Sequence, residues 1–133
     1  MSVREVEQQL RIVLDAVEVA FAHGTTPDEL MPMWYDDDIV VVGEGDPCAT
    51  RGFRDLMAKA AQTLREMGPR PQVTFKIDSP ILALETLAVA MIDAEIHPDV
   101  RDAPRGSYRM MTAWRHGGRG WRIVREMFAA GRL

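Results

Sequence analysis

The sequence predicts an α+β domain, on three observations. Through roughly the first half of the chain apolar residues recur at three- and four-residue steps, as amphipathic helices require. Beyond Gly68-Pro69 the period falls to two, the alternation of half-buried strands. Finally, Ser107 to Ala129 holds two runs rich in aromatic, β-branched and long apolar residues around Gly117-Gly118-Arg119-Gly120, which is the pattern of a β-hairpin. Helices first and strands after give the α+β order. With 133 residues, one domain spanning 1–133 suffices, and it can bury about two-thirds of its unfolded surface without a staple.

Each element has its own signal. Val3, Val6, Leu10, Val13, Leu14, Val17, Ala20 and Phe21 form the apolar stripe of a long first helix that closes at His23-Gly24, where glycine takes the left-handed conformation. Thr26-Pro27-Asp28-Glu29 opens a short second helix: Thr26 suits the N-cap, Pro27 the first helical position, and Glu29 the capping-box spacing. The β-branched run Ile39 to Val42 follows Trp34-Tyr35 and the acidic run Asp36-Asp37-Asp38, and reads as the first strand. Gly43 to Ala49 is a loop. Phe53, Leu56, Met57, Ala60, Ala61, Leu64 and Met67 stripe a third helix, closed by Gly68 and Pro69. Gln72 to Asp78 and Ile81 to Leu84 read as a strand broken at Ser79-Pro80. Leu87 to His97 is a long strand with two alternate sets, Leu87, Val89, Met91, Asp93, Glu95 and His97 against Ala88, Ala90, Ile92, Ala94 and Ile96.

The register of the hairpin decides what its faces carry. A loop with an odd residue count, containing a bulge, groups Tyr108, Met110, Thr112 and Trp114 with Val124, Glu126 and Phe128. The other face then holds Arg109, Met111, Ala113 and Arg115 with Trp121, Ile123, Arg125 and Met127. Both faces are too apolar for bare solvent. The expectation is that helices cover one and a second copy of the chain covers the other, as a two-fold homodimer.

Composition excludes several classes. One cysteine, Cys48, allows no internal disulfide. The charged N-terminus is unlike a signal peptide, and no apolar run approaches the roughly 20 residues of a membrane span, so a cytoplasmic chain with no membrane partner is expected. The net charge of −4 argues against nucleic acid. Residues 101–133 nevertheless hold 8 of the 16 basic and only 2 of the 20 acidic side chains; arginines at strand edges that pair with acidic elements account for them. Asp36, Asp37 and Asp38 alternate sides if extended and lack supporting ligand spacing, and the glycine-rich stretches lack a strand-to-helix setting. No metal and no cofactor are expected.

The order of elements, with Leu30-Met31-Pro32-Met33-Trp34-Tyr35-Asp36-Asp37-Asp38-Ile39-Val40-Val41-Val42-Gly43, Arg51-Gly52-Phe53, Tyr108 to Trp114 and Gly120-Trp121-Arg122-Ile123-Val124, resembles the NTF2-like superfamily over nearly the whole chain, most closely its SnoaL-like and ketosteroid-isomerase-like branch. The resemblance implies a cone: three N-terminal helices packed in a curved mixed, mostly antiparallel β-sheet, with an apolar pocket at one end and a dimer through the outer sheet face. The departures are informative. The ketosteroid isomerases' base falls at Val42 or a neighbour here, their oxyanion-side tyrosine near Val17, and their second acid near Thr112. Many members also carry a His-x-His pair where this chain has Arg125 and Met127. Isomerisation of that kind is therefore not expected.

Two readings remain open. In the first, the protein is a small-molecule pocket protein acting as a cofactor-free isomerase, cyclase or (de)hydratase on a hydrophobic or aromatic, polyketide- or steroid-like substrate. By resemblance the face of Leu87 to His97 bearing Asp93 looks into the pocket, where desolvation raises a carboxylate's proton affinity toward neutrality. Asp93 or Glu126 would then move the proton and Tyr108 steady an oxyanion, with Trp34, Val42, Met91, Glu95, Met110, Thr112 and Phe128 binding the ligand. In the second, the chain is a non-catalytic ligand-binding or dimeric assembly module. Fold-specifying patterns are strong for architecture and weak for activity.

Overall fold

The computed structural model describes residues 1–131. Helix α1 (Val3–Ala22) starts at Ser2, whose hydroxyl accepts a hydrogen bond from the Glu5 amide at 3.1 Å, and buries Val6, Leu10, Leu14, Val17, Ala20 and Phe21. Helix α2 (Pro27–Leu30) continues as a 3-10 turn over Met31–Met33. Thr26 has the extended N-cap backbone, but its side chain makes no capping bond; the Glu29 and Leu30 amides donate to Thr26 O instead, at 3.1 and 2.8 Å. Strands β1 (Tyr35–Gly43) and β2 (Thr50–Arg51) precede helix α3 (Gly52–Met67); β3 (Gln72–Ala83), β4 (Leu87–His97), β5 (Gly106–Gly117) and β6 (Gly120–Ala130) complete the order. Pairing runs through Ser79-Pro80 as an irregularity between Asp78 and Leu82, so β3 is one strand and not two.

The six strands form one mixed sheet in the order β2-β1-β6-β5-β4-β3. β1 pairs parallel with β6, and every other neighbour is antiparallel. α1 lies against β3 and α3 against β1 and β2, so both long helices share one face of the sheet. Trp114, Leu10, Leu14, Leu30, Ile39, Ile92 and Ile123 make the center of the core. The end of α3 is fixed by Gly68 at φ +83°, where a Cβ would collide with the backbone of Asp99. The Asp99 amide donates to Met67 O at 2.7 Å, which ties the helix to the loop after β4.

The hairpin corrects one sequence expectation. Its loop is the two residues Gly118-Arg119, between the paired Gly117 and Gly120. The odd residue lies inside β6 instead: Trp114 faces Ile123 while Ala113 faces Arg125, which leaves Val124 as a bulge. Beyond the bulge Tyr108, Met110, Thr112, Glu126 and Phe128 share a face as the pattern predicts. Before it, Trp121 and Ile123 turn inward with Trp114, at 2% and 0% exposure. Core packing drives this, and the Trp121 indole N–H finds an acceptor in Gln9 Oε1 at 2.7 Å. The outer face retains Met111 and Met127, both exposed.

Candidate functional site

The helix-covered face of the sheet does not close completely. A cavity of about 580 Å³ lies between α3, the 3-10 turn and the inner residues of β1, β4, β5 and β6. Its walls are mainly apolar: Phe21, Met31, Val41, Leu56, Met67, Phe75, Met110 and Phe128 among them. The exposed side chains Lys59, Glu66 and Arg105 mark its open end. There Lys59 pairs with Asp46 at 2.7 Å, which holds the loop after β1 to α3.

One buried carboxylate stands in this apolar enclosure. Glu126, on β6 and 6% exposed, accepts a hydrogen bond on Oε1 from the Tyr35 hydroxyl at 2.8 Å. Burial raises its pKa from 4.5 to about 7, against a smaller lowering by the Tyr35 hydrogen bond. Desolvation disfavours the charged form, whereas a donor to that form favours it. Tyr35 moves the same way for its own reasons: burial first, then the charge of Glu126 and the bond to it, push its hydroxyl well above the ordinary tyrosine range. Tyr35 thus stays a donor. Beside it Trp34, with ring centroids 4.5 Å apart, keeps its buried Nε1 without a hydrogen-bond partner among the described residues, at a cost on the order of 1–3 kcal/mol. The same described residues include no group of three or more His, Cys, Asp or Glu placed to hold a metal ion.

No family model matches the chain, and no curated protein does. Solved structures match it over nearly its whole length. An NTF2-like superfamily protein from Salmonella enterica serovar Typhimurium superposes with a TM-score of 0.75 at 17% identity, covering 99% of this chain and 95% of that one. A ketosteroid isomerase-like protein from Erwinia carotovora atroseptica gives 0.68 at 17%, covering 95% and 96%. An NTF2-like protein with a cystatin-like fold from Novosphingobium aromaticivorans gives 0.72 at 16%, covering 95% and 82%. The chain has the NTF2-like, cystatin-like fold. Identities this low show architecture and not activity.

Within the NTF2-like cone the expected site residues separate. Glu126, Tyr108, Trp34, Met110 and Phe128 all line the cavity, with the Tyr108 ring edge-on to Phe128 at 6.1 Å. Thr112 sits opposite Glu126 and is fully buried, but its hydroxyl is engaged: it donates to Ala90 O at 2.7 Å and accepts from Trp114 Nε1 at 2.8 Å. Val42 and Met91 lie outside, in a shallow depression of about 300 Å³ on the outer sheet face with Arg109, Met111 and Met127.

Asp93 is also outside. The resemblance turns its set inward, but the buried set of β4 is Ala88, Ala90, Ile92 and Ala94; Asp93 lies on the opposite face, in register with Lys76 and Arg109. A wholly apolar alternate set belongs in the core and one bearing Asp, Glu and His does not, so β4's own alternation held the right answer. Glu95, on the same outer set, stands 3.4 Å from His97 Nε2. The residue that sequence reasoning missed is Tyr35. The β-branched run that marks the first strand in the sequence starts at Ile39, whereas β1 starts at Tyr35, four residues earlier.

Proposed function

We propose that this protein binds a small, largely apolar molecule in the cone's cavity and moves a proton on it without a cofactor, with Glu126 as the base and then the acid. The observation that supports this most is the pairing of Glu126 with Tyr35 inside an apolar cavity. A carboxylate with a pKa of about 7 is present in both forms at neutral pH, which is what general acid–base catalysis asks of one group. Tyr35 holds Oε1, so Oε2 is the atom left to take a proton from a carbon or hydroxyl acid. Tyr108, on the same cavity, presents a hydroxyl to an oxygen where negative charge develops. Isomerisation, cyclisation and (de)hydration of hydrophobic or aromatic substrates all fit this scheme.

The test needs no natural substrate. In D₂O near neutral pH, deuterium uptake into an enolisable bicyclic ketone such as 2-tetralone is followed by proton NMR. The wild type is expected to accelerate exchange, and Glu126→Gln to remove about 10²- to 10⁴-fold of that acceleration. Equal exchange by the two proteins would refute the role given to Glu126.

A second reading concerns assembly and is compatible with the first. Met111, Met127, Val42, Val89 and Leu87 are exposed large apolar residues on the outer face, and grouped exposed apolar side chains mark interaction surfaces; we propose that they pair two copies. Sedimentation should report about twice the 15.0 kDa chain mass, and Met127→Glu should halve it. A wild-type monomer at millimolar concentration would end this reading.

A further inference from the structure

The acidic run that hid the first strand has a use. Along the parallel pair of β1 and β6, Tyr35 is opposite Ile123 but Val40 is opposite Arg125, so three more residues are inserted on β1 than on β6. Asp36, Asp37 and Asp38 lie in this wide bulge, drawn together by the Asp38 amide donating to Asp36 Oδ1 at 3.0 Å. Bulges re-aim the neighbouring side chain, and the neighbour here is Tyr35.

Four arginines of the β5–β6 hairpin grip this segment from outside. Arg122 Nε donates to Pro32 O at 2.9 Å and Arg125 Nη1 to Asp38 O at 2.9 Å, so the backbone is held at both ends. Arg119 reaches Pro32 O at 3.3 Å and Asp37 Oδ1 at 3.1 Å. Arg115 Nη2 bridges Asp36 Oδ1 at 2.9 Å and Asp38 Oδ2 at 3.3 Å. Between the two held carbonyls the Ile123 amide donates to Trp34 O at 2.8 Å. Exposed ion pairs alone are weak and salt-sensitive, but charged donors on backbone carbonyls are stronger and directional.

We infer that this arginine clamp is a positioning device for the proposed acid–base site, in which Arg122 and Arg125 fix the segment Pro32–Asp38 so that the Tyr35 hydroxyl stays on Glu126. The inference rests on the reading of Glu126 given above, yet it concerns geometry and has its own readout. Among the described residues, the titratable or charged side chains that share the cavity with Glu126 are Tyr35, which bonds it, Tyr108 from β5, and Asp46, Lys59, Glu66 and Arg105. None of the four clamp arginines lines that cavity. They act on Glu126 through Tyr35.

The experiment follows the Glu126 carboxyl by carbon-detected NMR through a pH titration, in the wild type, Tyr35→Phe, Arg122→Lys, Arg125→Lys and the double-lysine variant. Lysine keeps the charge and loses the planar fork, so a change cannot be put down to a lost cation. Tyr35→Phe is expected to raise the Glu126 pKa by about one pH unit, because the donor to the charged form is gone. The lysine variants, with circular dichroism unchanged, should raise it by a measurable part of that, and adding them to Tyr35→Phe should raise it no further. Folded lysine variants that titrate as the wild type does would overturn the inference. So would a shift that persists undiminished in the Tyr35→Phe background, since it would not pass through Tyr35. If the titrations agree but no ketone exchange is seen, the clamp stands and the catalytic reading alone fails.

Discussion

Glu126 and Asp93 are carboxylates two strands apart in one sheet, on opposite faces, and their surroundings differ. Glu126 lies among apolar walls with a single tyrosine donor and has its proton affinity lifted to near neutrality. Asp93 stands on the outer face, between the register positions of Lys76 and Arg109. A carboxylate's proton affinity rises where burial removes water from it and no cation takes the water's place. Which face a strand residue occupies therefore matters more here than which residue it is.

The largest test of that division is structural. If Ile123 is inward and Met127 outward, as the bulge at Val124 dictates, Ile123→Ala should cost on the order of 2–5 kcal/mol by loss of buried volume. Met127→Ala, measured by urea unfolding below any dimer concentration, should stay within about 0.5 kcal/mol. Similar costs for the two would mean that the register is wrong.

The next effect is on pH dependence. Glu126 holds its proton more tightly in the folded chain than in the unfolded one, so between about pH 4.5 and about 7 the folded state binds more protons and stability falls as pH rises. The full contribution is present below pH 4.5, and a loss of roughly 3 kcal/mol is complete a little above pH 7. Urea midpoints at pH 5 and pH 8 should show this drop in the wild type and much less of it in Glu126→Gln. A drop of the same size in the Gln variant would assign it to other groups.

The smallest effect belongs to Asp93. Asp93→Asn should change stability by no more than about 0.5 kcal/mol and leave ketone exchange as it was. A loss of exchange comparable with that of Glu126→Gln would bring Asp93 back into the chemistry and undo the contrast between the faces.

The architecture was legible because it is written in periods and caps: the stripe of α1, the glycine stop after α3 and the paired runs around Gly118-Arg119 are local signals. Glu126 and Tyr108 were legible too, since the residues beyond the bulge alternate regularly. The site's other half was not. Tyr35 reaches Glu126 because three aspartates bulge out of β1 and arginines from 77 to 90 residues away hold the segment from Pro32 to Asp38, and nothing local announces a pairing of that kind. The bulge at Val124 is equally silent: it is set by where Trp121 and Ile123 fit against α1 and the core, and one residue of slip turns a face around.

The parallel pairing of β1 with β6 also has a consequence in time. Tyr35 and Glu126 are 91 positions apart, and the two strands they belong to are neighbours in the sheet although four others of the chain's elements of β structure separate them in order of synthesis. Contacts of such long range must wait for the loop between them to be closed. While β6 is still unmade, α1 already has β3 to pack on and β1 has β2 and α3, but Tyr35 lacks its acceptor Glu126. The Tyr35–Glu126 hydrogen bond therefore cannot form before the final strand has been made, and a chain released without that strand would lack both the bond and one wall of the cavity.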